Sequence, residues 1–66
     1  MNFSKNLRYY RQEAGYSARE FSFIIGVPYI TYHRYEHGVW PAKGEILVAI
    51  TEALNIPMDW LFSSIT

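Results

Sequence analysis

Glycine and proline interrupt this chain four times, at Gly15, at Gly26-Val27-Pro28, between Gly38 and Gly44, and at Asn55-Ile56-Pro57. Between the breaks the apolar residues recur at helical spacing, so the sequence has room only for short helices. Phe3, Leu7, Tyr10 and Ala14 fall at i, i+4, i+7 and i+11, and Gly15 stands where a helix C-cap belongs. Ser17-Ala18-Arg19-Glu20 is a capping box, in which the serine hydroxyl accepts an amide and the glutamate reaches back. It opens a second helix with Ala18, Phe21, Ser22 and Ile25 on one face, stopped by Gly26. A third helix is predicted from near Pro28 to about His37, since the fixed φ of proline suits a first turn. The fourth covers about Glu45 to Leu54, with Ile46, Leu47, Ile50 and Leu54 inward. A last turn or two after Pro57 carries Met58, Leu61, Phe62 and Ile65. No strand-like alternation persists. The expectation is an all-α fold of five helices, forming a single domain over residues 1–66.

Size and charge narrow what such a fold can do. In 66 residues there is one small core and no cysteine, hence neither a disulfide nor a thiolate metal site. The N-terminal stretch has no apolar signal region, and the longest apolar run, Ile46 to Ile50, is too short to span a bilayer. A cytoplasmic location without membrane contact is the default expectation. The formal net charge is zero, but it is unevenly spread. Residues 1–43 hold all six bases (Lys5, Arg8, Arg11, Arg19, Arg34, Lys43) against three acids. Residues 44–66 hold the other three acids, Glu45, Glu52 and Asp59, and no base. A basic front of this kind suits a polyanion partner.

The second and third helices carry the functional signal. Two short helices joined at Gly26 make a rigid bihelical unit. Ser22, four residues before the glycine, is small where the helices must approach, and Tyr32 and Tyr35 face back into the domain. From Phe3 to Phe62 the chain resembles the Cro/CI-type helix-turn-helix family of phage repressors and bacterial regulators. The resemblance rests on an ordered set: Leu7-Arg8, Arg11, Gly15-Tyr16-Ser17, Glu20-Phe21, Gly26-Val27, Thr31, Arg34-Tyr35-Glu36, Gly38, Ala53-Leu54 and Asp59-Trp60-Leu61. It implies a compact, five-helix, lambda-repressor-like domain that binds double-stranded DNA at a palindromic operator as a homodimer. The expected function is sequence-specific transcriptional regulation, as a repressor, with the helix around residues 28–37 in the major groove. By position, Tyr29, Ile30, His33 and Arg34 are the base-reading candidates. Arg19, Arg8, Lys5, His37 and Lys43 are the candidates for DNA-backbone contacts. Arg11 and Glu36 match a structural ion pair tying helix one to helix three. Met58, Trp60, Phe62 and Ile65 are the candidate dimer interface.

Departures from the family pattern support a second reading. Ala18 stands where a phosphate-binding glutamine is common, Pro28 where a serine or threonine cap is, and Tyr32 where an aliphatic core residue is. Val39-Trp40-Pro41 replaces the bases that often follow the glycine. Twelve of the residues are aromatic, and Tyr10, Phe21, Tyr32 and Tyr35 read as core while Tyr9 does not. Phe23, Ile24 and Trp40 are hard to bury, and exposed apolar clusters mark partner sites. The alternative is therefore a helix-turn-helix scaffold used mainly for protein contact, as in an antitoxin, an antirepressor or an accessory module. His33-Arg34-Tyr35-Glu36-His37 also matches H-x-x-E-H. A catalytic zinc site needs a third protein ligand and a pocket, and the sequence offers neither. No nucleophilic triad or phosphate-cradling glycine loop occurs, so neither an enzyme nor a cofactor is expected.

Overall fold

The computed structural model describes residues 2–38 and 42–63. Four α-helices occur among them: α1 (Asn2–Glu13), α2 (Ala18–Ile25), α3 (Tyr29–Glu36) and α4 (Gly44–Leu54). The fifth expected helix is a 3-10 helix, Met58–Leu61, held by i→i+3 bonds from Trp60 N–H to Pro57 (3.1 Å) and from Phe62 N–H to Asp59 (3.1 Å). A four-residue segment behind a proline suits that tighter geometry, which proteins use in short pieces. Ile65 lies outside the described residues, as does Trp40.

Local chemistry sets the boundaries. The Ser17 hydroxyl accepts from Glu20 N–H (3.0 Å), and the Glu20 carboxylate accepts from Ser17 N–H (2.8 Å). Helix α2 ends at Gly26, whose φ of +76° disfavours a side chain. Gly26 N–H donates to Phe23 and Val27 N–H to Ser22, the paired bonds of a Schellman ending. The same pair of bonds closes α4, with Asn55 taking the left-handed position at φ 56°. Helix α1 closes likewise at Gly15, so its last helical residue is Glu13 and Ala14 falls just outside it. Ala14 therefore sits exposed in the turn, a correction to its predicted place on the buried face.

The core draws on every element: Phe3 and Leu7, Phe21 and Ile25, Tyr32 and Tyr35, Ile50, and Leu61. Phe21 meets Tyr32 edge-on at 5.6 Å between ring centres, and Tyr32 meets Tyr35 at 6.4 Å. Tyr10, expected in the core, is half-buried, with its ring 5.8 Å from that of Trp60. Asn6 is only 1% exposed, and its side-chain amide donates to the carbonyls of Trp60 (3.0 Å), Leu61 (2.9 Å) and Ser63. Helix α3 packs on both α1 and α2, which fixes its inward face and leaves the opposite one in solvent. No helix among the described residues is long and apolar enough to cross a membrane.

Candidate nucleic-acid interface

Helix α3 has two unlike faces because its eight residues alternate at 3.6 per turn. Tyr32, Tyr35 and Glu36 are buried, and Thr31 is half-buried. On the other side Ile30, His33 and Arg34 are exposed, and Tyr29 is half-buried at the start of the helix. His37 follows as the exposed C-cap residue. Tyr29, His33 and His37 form one row. Ring centres are 6.1 Å apart for Tyr29 and His33, and 3.9 Å for the stacked pair His33 and His37.

The buried side of α3 is held by a charged cluster. Arg11 donates from Nε to Glu36 Oε2 (2.6 Å) and from Nη2 to Oε1 (3.2 Å), a bidentate pair. Its Nη1 donates to the Tyr16 carbonyl (2.9 Å), which ties the pair to the turn before α2. The Tyr32 hydroxyl donates to Glu36 Oε2 as well. With Arg11 8% and Glu36 6% exposed, the charges are desolvated together, and every buried side-chain polar atom described has a partner. The hydrogen bond and charge of Glu36 raise the Arg11 pKa against the opposing effect of burial. Burial first, and then the bond to the Glu36 carboxylate, push the Tyr32 phenol well above the ordinary tyrosine range. The effect is to clamp α3 to α1 through three groups at once.

At the entrance to the two helices, Arg19 lies with its guanidinium carbon 4.3 Å from the centre of the Tyr29 ring. This cation–π contact joins the first turn of α2 to the first residue of α3. Arg19, Tyr29, His33 and His37 thus make a continuous line along the exposed edge of the unit. Lys5 and Arg8 are exposed on α1, and Lys43 is exposed at the N-cap of α4. At the other end, Met58, Trp60 and Phe62 are exposed, although Phe62 stacks on Phe3 at 5.4 Å. Phe23 is 86% exposed on α2, and Ile24 is also exposed.

Two residues that shape the site carry no sequence signal. The Tyr32 hydroxyl is invisible in a position that reads as core by spacing. Asn6 reads as a surface residue between Lys5 and Leu7, and only its three distant carbonyl partners show why it is buried.

Comparison with known proteins gives one result. A helix-turn-helix family model matches residues 7–61, which takes in all of this geometry from the first core leucine to the terminal turn. No curated protein and no solved structure matches the chain. The match covers most of the sequence, and the chain belongs to the Cro/CI-type helix-turn-helix family, a family of DNA-binding regulators.

Proposed function

We propose that the protein is a sequence-specific transcriptional repressor that places α3 in the major groove of a palindromic operator as a two-fold dimer. The observation that carries this reading is the division of α3. Its inner face is clamped by Arg11, Glu36 and Tyr32, while Tyr29, Ile30, His33 and Arg34 stand on the outer face. A recognition helix needs both properties, because base contacts discriminate only when the helix is held in register. Arg34 and His33 are the groups for base edges, and Ile30 offers apolar contact to a thymine methyl. Arg19, Arg8, Lys5, His37 and Lys43 contribute phosphate contacts. In the dimer, Met58, Trp60, Phe62 and Ile65 meet their counterparts, setting the two α3 helices about 34 Å apart.

The test is DNA binding by a triple variant, Tyr29→Ala, His33→Ala and Arg34→Ala, at two salt concentrations. Operator affinity should fall, and Arg34→Ala alone should cost about 1–3 kcal/mol and relax preference at one base pair. Arg19→Ala should instead weaken all sequences alike and reduce the salt slope by about one. Unchanged affinity of the triple variant at both salts ends the groove-reading proposal.

The exposure of Phe23 favours a second reading, in which the domain binds a protein through Phe23, Ile24 and Trp40. On that reading Phe23→Ser removes a partner and leaves retention on DNA intact.

A further inference from the structure

We propose that His33 and His37 form a two-ligand site for a divalent transition ion of the copper, nickel or zinc class. Four observations converge on the pair. First, the residues are one helical turn apart on α3, the spacing that lets two imidazoles share one ion. Second, their rings already lie against each other, 3.9 Å between centres and 16° from parallel. The in-plane lone pairs of stacked rings run parallel, so the His33 ring must turn out of the stack to bring a nitrogen onto an ion held by His37.

Third, His37 Nδ1 lies 2.8 Å from the His33 carbonyl oxygen. A carbonyl can only accept, so Nδ1 carries the proton and Nε2 of the neutral ring keeps its lone pair. Metal-binding histidines are usually oriented in this way, with the second ring nitrogen donating to a carbonyl or carboxylate. Fourth, both residues sit at the C-terminal end of α3, where the negative end of the helix dipole favours a cation. Imidazole ligands select copper, nickel and zinc over magnesium or calcium, which prefer oxygen.

The site is an open one. Among the described residues no group of three or more histidines, cysteines or carboxylates gathers around one point. Two positions belong to the protein and water takes the rest, so the arrangement lacks the closed ligand set of structural zinc. An ion held there ties His33 to His37 along the helix and places its hydration shell on the outer face of α3. Ion and operator then compete for one surface. This last consequence rests on the groove-reading proposal; the ion site itself does not.

The experiment titrates Ni2+ into the full chain and follows the histidine ring resonances by NMR, with Mg2+ as the comparison ion. The expected result is selective paramagnetic broadening of both His33 and His37 at micromolar Ni2+, with a parallel rise in Tm. Mg2+ should do neither. His33→Gln and His37→Gln, both at exposed positions, should each abolish the rise in Tm. Undiminished binding in both single variants, or no broadening up to millimolar Ni2+, overturns the site. Operator binding is then measured with and without Ni2+. Weakened binding by the wild type, with no response to Ni2+ in the double variant whatever its starting affinity, supports competition. A wild type that holds Ni2+ without any change in DNA affinity overturns competition. Failure to bind DNA in the absence of ions overturns the groove reading, while the NMR titration still decides the ion site.

Discussion

Tyr32 fills a core position that an aliphatic side chain commonly takes in this family, and it brings a hydroxyl that burial obliges to find a partner. It finds Glu36 one turn later, on the oxygen that also receives Arg11 Nε. The carboxylate therefore depends on both neighbours, and the cost of losing one is the cost of a buried charge left short of donors. Arg11→Ala should destabilise by about 3–5 kcal/mol, and Tyr32→Phe by about 1–3 kcal/mol. The two effects should not add in a double-mutant cycle, because both act on Glu36. Alkali gives a second readout. The folded-state pKa of Tyr32 is raised above its unfolded value of about 10. Above that pH the unfolded chain loses a proton that the folded chain keeps, so stability present below pH 10 is lost as pH rises. Tyr32→Phe should remove that part of the alkaline decline, and thermal melts from pH 8 to pH 11 check it. The Arg11 and Glu36 positions could be named from the family pattern. The hydroxyl could not, since spacing assigns a tyrosine ring to the core and is silent about its oxygen.

At the scale of single helices, termini decide what is legible and what is exchangeable. The capping box of α2 could be read directly because its two partners are three residues apart. Its geometry lowers the Glu20 pKa, chiefly through the backbone hydrogen bond from Ser17. A depressed carboxylate stabilises the fold above its unfolded pKa, and that contribution is lost as pH falls through the folded value. Glu20→Gln keeps an acceptor and removes the titration, so its Tm should fall less than that of the wild type between pH 6 and pH 3. Ser17→Ala should cost about 1 kcal/mol at neutral pH. Helix α4 starts less well. Its N-cap is Lys43, which makes no side-chain cap bond and puts a cation at the positive end of the dipole. Lys43→Ser should stabilise by about 1 kcal/mol, read by thermal melting, and should weaken DNA binding if the lysine meets a phosphate. A mutant that gains both stability and affinity would remove Lys43 from the proposed contact set. The terminal 3-10 helix reads as an ordinary helical turn in the sequence, since apolar spacing over four residues does not distinguish i→i+3 from i→i+4 bonding.

Across the whole molecule, the least legible feature is the one that joins its two ends. The basic front and acidic back are plain in the sequence, and so is the order of the helices. The hydrogen bonds that seat the terminal turn on α1 span 54 to 57 residues and all come from one amide. Asn6 Nδ2 is the donor to carbonyls of Trp60, Leu61 and Ser63, and these sit in the segment that presents Trp60 and Phe62 to the proposed dimer partner. A carboxylate of nearly the same shape reverses the electrostatics, because it turns an acceptor and a charge toward three acceptors. Asn6→Asp should therefore cost at least about 3 kcal/mol at neutral pH, the upper range for a buried group deprived of its bonds. In a domain this size each kcal/mol moves Tm by about 4–8 °C, so a drop of at least about 12 °C is expected. Asn6→Ala leaves the carbonyls without a donor but adds no charge, and should lie between the two. Dimer formation, followed by sedimentation at a temperature where Asn6→Ala remains folded, should weaken in step because the terminal turn loses its anchor. If Asn6→Asp melts with the wild type, the turn is held by Leu61 and its apolar neighbours alone, and the amide has no part in joining the ends.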